Sequence, residues 1–337
     1  MPERPQRNLA LEFVRATEAA ALAAARWMGR GDKNAGDGAA VDAMRLLLNT
    51  VDMDGVVVIG EGEKDEAPML FNGEHLGTGD PPRLDIAVDP VEGTNLLAKG
   101  RPDAISVVAA APRGAMFDPG PAFYMYKIAV GPEAASVVDL EAPVQDNLHA
   151  VARSLGKEVA ELTVVVLERP RHDELIREIR AAGARIKLIT DGDVSAALQA
   201  AMPDTGVDML IGIGGTPEGV VTACALKCLG GAIQGRLAPQ KPEEIERVQK
   251  AGLDVKRILT TDDLVRSDDV LFAATGITDG VLLQGVRYLA GGAVTESLVM
   301  RGRSGTQRRI QAIHRFEKLM NISAIPYTDT VPHPDTM

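Results

Sequence analysis

Apolar residues recur at helical spacing from Asn8 to about Met28, and the alanine-rich pattern predicts a long opening helix. A polar glycine loop spanning 29–38 follows, and a second helix then runs to about Leu48. The β-branched run Val56-Val57-Val58-Ile59 predicts a strand that ends in Gly60-Glu61-Gly62-Glu63. A second apolar run, 84–88, closes on Asp89-Pro90-Val91-Glu92-Gly93-Thr94, and further strands are predicted over 105–110 and 126–130. Beyond residue 160 the alternation is more regular. Strands over 162–167, 184–189 and 208–213 alternate with helices over 173–182, 194–201 and 218–229. This βαβ-like punctuation predicts an α/β fold. There is no internal repeat and no low-complexity tract.

At 337 residues the chain exceeds one average domain. The stretch 140–162 is charged and carries no apolar strand pattern, so it is the expected boundary between two lobes, 1–150 and 151–330. The end, PYTDTVPHPDTM, has no core-forming pattern, and its last residues, 331–337, are expected to be weakly ordered.

Hydrophobic residues make up 45% of the chain but aromatics only 3%, so Ala, Val, Leu and 34 Gly must carry the packing. The net charge of −11 excludes the broad basic surface that nucleic-acid binding needs. No stretch is apolar enough to span a bilayer, and MPERPQRNLALEF lacks the apolar segment of a signal peptide, so a cytoplasmic protein without membrane partners is expected. Cys224 and Cys228 lie four apart in one predicted helix, a spacing that reads as packing.

The candidate chemistry lies in acids placed at strand exits. Glu61 and Glu63 follow one strand, Asp89 and Glu92 close another, and Glu218 follows a third at LIGIGGTP; Asp37 opens a helix beside the glycine loop. Taken singly, Asp37 reads as a helix cap, Glu61 and Glu63 as solvated turn residues, and Glu218 as an acid favouring a helix amino end. Together they predict convergence on the crevice outside the carboxyl ends of the strands. Clustered carboxylates there need cations, and Mg²⁺ or Mn²⁺ takes oxygen ligands of this kind. The five scattered histidines offer no zinc pattern.

Rival motifs fail on context. Pro217 occupies the third glycine's place in the GIGGTPEG stretch, which rules against a dinucleotide fingerprint, and no Walker A sequence is present. Asp52-Met53-Asp54-Gly55-Val56 imitates an aspartate-nucleophile phosphatase motif, but a helical pattern leads into it where a strand is required.

DPVEGT resembles the signature of the lithium-sensitive, metal-dependent sugar and inositol phosphatases. Together with GRGDKN, DGAAVDAM, VVVIGEGEKDEAPML, DIAVDPVEGTN, RPRHDELI, DGDV and GIGGTPEGVV, it resembles the class II fructose-1,6-bisphosphatase family from about residue 8 to about 316. The resemblance implies a layered αβαβα sandwich of the sugar phosphatase type, with two closely packed lobes. It also implies a two-metal site and hydrolysis of the 1-phosphate of fructose 1,6-bisphosphate. The positions it assigns to metal are Asp37, Glu61, Asp89, Glu92 and Glu218. Substrate contacts fall on Glu92, Gly93, Thr94, Tyr124, Arg169, Pro170, Arg171, Asp191, Gly192, Asp193 and Gly215. Thr94, Glu61, Asp65 and Lys33 match the catalytic centre. A homo-oligomer, dimer or tetramer, is implied as well. One departure is Arg169, where some members carry Lys; a planar fork then replaces a point charge. The segment after Arg236 is also shorter than in longer members.

On this reading Asp89 would bridge two ions, with Asp37 and Glu61 on one side and Glu92 and Glu218 on the other. The Thr94 hydroxyl would orient water or phosphate, Arg169 and Arg171 would clamp the distal phosphate, and Asp191 and Asp193 would accept from sugar hydroxyls. Alternatives are a dual fructose-1,6-/sedoheptulose-1,7-bisphosphatase, a related sugar or inositol monophosphatase, and a non-catalytic regulator that binds sugar phosphates.

Overall fold

The computed structural model describes residues 8–62, 69–323, 325 and 327. Two mixed sheets organise the chain. The first, eight-stranded, runs β12-β13-β11-β4-β3-β1-β2, with β14 paired to β13. Its members are β1 (Asp54–Ile59), β2 (His75–Leu76), β3 (Arg83–Glu92), β4 (Ile105–Pro112), β11 (Leu271–Gly276), β12 (Arg287–Leu289), β13 (Gly292–Arg301) and β14 (Thr306–Arg315). The second, six-stranded, runs β10-β9-β5-β8-β6-β7. It holds β5 (Tyr124–Val130), β6 (Thr163–Leu167), β7 (Arg185–Ile189), β8 (Met209–Gly215), β9 (Ala232–Leu237) and β10 (Leu259–Thr260). The regular alternation read after residue 160 corresponds to the parallel trio β7-β6-β8. Neither sheet is confined to one half of the chain, since β5 belongs to the second sheet and β11 to β14 to the first. Residues 140–162 hold helix α4 (Val144–Leu155) and no strand.

Helices bury the faces of both sheets. α1 (Ala10–Ala24) and α2 (Lys33–Leu48) share a core with one face of the first sheet, built from Phe13, Met44, Ile86, Val88 and Val299. The opposite face of that sheet supplies Ala87, Val107 and Ala109 to a second core. That core also contains α6 (Asp193–Ala201) and α7 (Thr216–Leu229), together with Met125 and Leu210 of the other sheet. Small side chains such as Ala196, Ala197, Ala223 and Ala225 let these two helices pack closely with strands from both sheets, so few aromatics are needed. A third core joins the far face of the second sheet to α4 and α5 (Asp173–Ala181). Among the described residues no helix is long and apolar enough to cross a membrane.

One boundary differs from expectation in a way that matters for the site. The glycine loop does not extend to Gly38. α2 begins at Lys33 because the Asp32 carboxylate caps it, accepting from the Ala35 N–H at 3.0 Å. Asp37 therefore is not the cap but lies one turn inside the helix. Gly36 is needed there for contact, since a Cβ would lie 2.8 Å from Leu97 and 3.1 Å from Trp27.

Candidate active site

The parallel strands β1 and β3 end side by side, with Ile59 in register with Ala87, so the Gly60-Glu61 turn opens beside Asp89 to Glu92. The Asp89 carboxylate accepts from the Val91 N–H at 3.1 Å and closes the turn around Pro90. Gly93 takes φ +94°, a left-handed conformation that side chains resist, and the short helix α3 (Thr94–Lys99) starts directly after it. Thr94 is thus carried on the first helical residue, beside the acids.

A cavity of about 480 Å³ collects these groups. Its wall includes Asp37 from α2, Glu61 after β1, Asp89, Glu92, Gly93 and Thr94 from the β3 turn, Asp191 before α6, and Glu218 in the first turn of α7. The Gly214-Gly215 pair at the end of β8 makes room for two of the neighbouring carboxylates. A Cβ at Gly214 would fall 1.9 Å from Asp193 Oδ2, and one at Gly215 would fall 1.7 Å from Glu218 Oε2.

The five acids expected to hold metal are held against their ordinary chemistry. Burial pushes Asp37 up to about 6, with Lys33 partly opposing. Burial, then the charges of Asp37 and Glu218, push Glu61 up to about 8. Asp89 is raised well above the usual carboxylate range, by burial and then by Glu92, Glu61, Glu218 and Asp37. Glu92 is raised by burial, Asp193 and Glu218, against a hydrogen bond from Val194. Glu218 is raised by burial and Asp193, against Lys127. Glu218 Oε2 is buried without a hydrogen-bond partner. Acids that desolvate and repel one another, all oxygen donors and one of them orphaned, fit hard divalent cations. They line one cavity but do not form a closed cage: among the described residues, no three Asp, Glu, His or Cys side chains stand in a ready coordination shell.

Comparison with known proteins decides the lineage. Residues 7–314 match the family described as bacterial fructose-1,6-bisphosphatase, glpX-encoded. The chain belongs to that family. It is 48% identical over 326 residues to fructose-1,6-bisphosphatase 1 class 2 of Escherichia coli (strain K12), a match covering 93% of this chain and 97% of that protein. Fructose-1,6-bisphosphatase class 2 proteins of Escherichia coli O6:H1 and of Shigella flexneri match with the same identity and coverage.

The remaining positions expected from this family are placed around the acids in different ways. Asp191 accepts from the Asn95 N–H at 3.1 Å and from Asn95 Nδ2 at 3.0 Å, and the Val194 N–H donates to Glu92 at 2.6 Å. The Asp191-Gly192-Asp193 loop is thereby tied to the β3 turn. Asp193 is buried in an ion pair, 2.8 Å from Lys127 Nζ. Tyr124 opens β5 opposite Gly215, with the Arg171 guanidinium 5.1 Å from its ring centroid. Arg171 donates twice to the Ile213 carbonyl, at 3.2 and 2.8 Å. Arg169 donates to the carbonyls of Glu168 and Thr190. Arg169 and Pro170 line a separate surface depression with Glu168 and Arg177, and not the acidic cavity. Lys33 is exposed on the first residue of α2. Asp65, like Glu63 and the tail 331–337, lies outside the described residues.

Sequence reasoning missed three supporting residues. Lys127 is only 2% exposed, pairs with Asp193 and donates to the Gly215 carbonyl at 3.0 Å. Its signal was available, as the one charge within the apolar strand YMYKIAV. His172 ties the arginine loop to β8: Nδ1 lies 2.7 Å from the Leu167 carbonyl oxygen, and the Ile213 N–H donates to Nε2 at 2.7 Å. Those partners fix the neutral tautomer with its proton on Nδ1. Glu244, on α8 (Pro242–Lys250), accepts from the backbone of Phe123 and Tyr124. Nothing local in PEEIERVQK distinguishes it from a solvated helical acid.

Proposed function

We propose that the chain hydrolyses the 1-phosphate of fructose 1,6-bisphosphate, releasing fructose 6-phosphate and phosphate, as a class II fructose-1,6-bisphosphatase of gluconeogenesis. The observation that carries this is the gathering of Asp37, Glu61, Asp89, Glu92, Glu218 and Thr94 around one cavity, in a member of this family. Asp37, Glu61, Asp89, Glu92 and Glu218 would hold two Mg²⁺ or Mn²⁺ ions. Bound there, the ions neutralise phosphoryl charge and make water acidic enough to serve as nucleophile near neutral pH.

The protein's own groups orient the reactants. Thr94 lines the cavity with Glu92, and its hydroxyl would donate to a phosphoryl oxygen or accept from an attacking water. Lys33 lowers the proton affinity of Asp37, and the Asp37 charge in turn raises that of Glu61. Asp191 and Asp193 approach from the α6 side, and Asp193, held by Lys127, fixes that rim more than it offers a free acceptor. Tyr124, Arg171 and the Gly215 backbone form a contiguous edge suited to the rest of the sugar phosphate. No Ser or Cys side chain lines the cavity among the described residues, which favours direct attack by water. The two mixed sheets, sharing a core with α6 and α7 and each packed against further helices, support the reading as a layered αβαβα sandwich. A cytoplasmic homo-oligomer, dimer or tetramer, completes the reading.

Phosphate release from fructose 1,6-bisphosphate, sedoheptulose 1,7-bisphosphate, fructose 6-phosphate and inositol 1-phosphate, with Mn²⁺, Mg²⁺ or EDTA, tests it. Rapid metal-dependent release from fructose 1,6-bisphosphate is expected. Turnover that survives EDTA would remove the metal assignment, and preference for a monophosphate would remove the substrate.

A further inference from the structure

We propose that Lys127 is a positioning residue: its buried ammonium joins the start of α6 to the end of β8 and so fixes the rim on which the sugar of the bisphosphate lies. The proposal rests on the bisphosphatase reading above and deepens it at a side chain behind the site, since Lys127 is not among the residues lining the acidic cavity.

The lysine stands where its strand calls for an apolar residue. Side chains of β5 alternate between two cores. Met125 and Ala129 enter the one built around α6 and α7, while Ile128 and Val130 enter the one around α4 and α5. Lys127 falls between Met125 and Ala129, and only 2% of it is exposed. An unpaired ammonium there costs several kcal/mol, and a paired one often stabilises no more than a well-packed apolar side chain does. Stability alone therefore does not account for it.

The groups it holds give a better account. Nζ lies 2.8 Å from Asp193 Oδ2 and donates to the Gly215 carbonyl at 3.0 Å. Asp193 is the first residue of α6, and Gly215 is the last of β8, in register with Tyr124. One side chain of β5 thereby fastens two strand-to-helix junctions, and those junctions carry Asp191 and Glu218 to the cavity wall. Gly214 leaves room for the pair, since a Cβ there would lie 1.9 Å from Asp193 Oδ2 and 3.1 Å from Lys127 Cε.

The same loop is held from its other side by different groups. Asn95 donates to Asp191, and Glu92 accepts from the Val194 N–H, both from the β3 turn. Those ties belong to the half of the site assigned to metal, whereas Lys127 belongs to the second sheet. The two halves can therefore be disturbed one at a time. Lys127 also lowers the proton affinity of Glu218 through its charge, so its field opposes any cation at that carboxylate. Its loss should harm the sugar rim and spare, or strengthen, metal binding.

The test is steady-state kinetics of the full chain on fructose 1,6-bisphosphate at saturating Mn²⁺, with Mn²⁺ binding to the EDTA-stripped chain measured separately by calorimetry. Lys127→Met should raise KM about tenfold, the lower range for hydrogen bonds to charged groups, with kcat within about threefold. Its Mn²⁺ affinity should equal or exceed that of the wild type. A merely structural role predicts the reverse, because loosened metal ligands would lower Mn²⁺ affinity and kcat together. Lys127→Met leaves Asp193 buried without its partner, so the double variant with Asp193→Asn keeps the interior neutral and serves if the single one does not fold. Its KM should exceed that of Asp193→Asn alone by about threefold or more, since the Gly215 carbonyl is then unheld as well. An unchanged KM in Lys127→Met, a fall in its Mn²⁺ affinity, or a double variant no worse than Asp193→Asn would overturn the proposal alone. Absence of bisphosphate turnover in the wild type would overturn the underlying reading with it.

Discussion

The acidic cavity and the loop from Arg169 to His172 both gather charged and hydrogen-bonding groups, yet they treat them in opposite ways. In the cavity, burial and then neighbouring acids raise the proton affinity of Glu61, Asp89 and Glu92, with Glu218 among the causes for each, and Glu218 Oε2 has no hydrogen-bond partner. In the loop, both guanidinium groups and both ring nitrogens of His172 meet backbone partners. Unsatisfied charge of one sign is expensive and persists where a ligand of the other sign completes it. Satisfied charge builds shape. On the proposed reading the cavity acids are completed by metal ions, while the backbone bonds of the loop fix its shape.

Replacing an acid in the cavity should therefore have two effects of opposite sign. Glu218→Gln is expected to lower metal-dependent turnover about 10³-fold or more, because several kcal/mol of charge stabilisation disappear with one ligand. The same variant should be more stable than wild type in EDTA at pH 8. Glu218 has a folded pKa raised above the ordinary 4.5. Its favourable contribution is full below that value and is lost as pH rises through the raised folded one. Glutamine removes that loss. Thermal midpoints in EDTA at pH 5 and pH 8 check the point, and a variant less stable than wild type at both would break the comparison.

This contrast was only half legible in the sequence. The acids could be read because each sits at a strand exit marked by glycine or proline, as in IGEGE, DPVEGT and GGTPEG, and turn chemistry is local. Asp37 was located, but its place in the helix was misjudged, since Asp32 competed for the cap and the glycines of KNAGDG resembled a loop. The supporting residues were not legible, because their partners are distant in sequence. Lys127 meets Asp193, Glu244 meets Phe123 and Tyr124, and His172 meets Ile213 only once the second sheet has formed. The assembly of that sheet from β5, β6 to β8 and β9 is likewise a non-local pairing that no window of sequence reveals.

The loop offers the reverse experiment, in which removing a satisfied group lowers stability. His172→Phe should cost about 2 kcal/mol at pH 8, from two lost backbone hydrogen bonds at about 1 kcal/mol each. Burial holds the wild-type imidazole below its ordinary 6.5. Its contribution is therefore full above 6.5 and declines as pH falls through the lower folded value, when the ring gains a proton and Nε2 can no longer accept from Ile213. The difference between variant and wild type should shrink on acidification. Denaturant midpoints between pH 8 and pH 5 give the slope, and a constant difference would place the stabilisation in packing against Gly212 instead, where a Cβ would lie 3.0 Å from the ring.

The smallest expected effect tests where the distal phosphate is held. Arg169 donates through two different nitrogens to the carbonyls of Glu168 and Thr190, at 3.0 and 2.7 Å. If those bonds are its main work, Arg169→Lys should shift KM for fructose 1,6-bisphosphate by less than about threefold. One ammonium can replace one carbonyl contact while keeping the charge, and an exposed hydrogen bond contributes about 1 kcal/mol or less. A tenfold rise in KM, absent with fructose 1-phosphate, would instead assign the distal phosphate to Arg169 and move that residue from the frame to the ligand set. A shift below threefold on both substrates would keep the division intact, with Arg169 shaping the loop through its two carbonyl contacts.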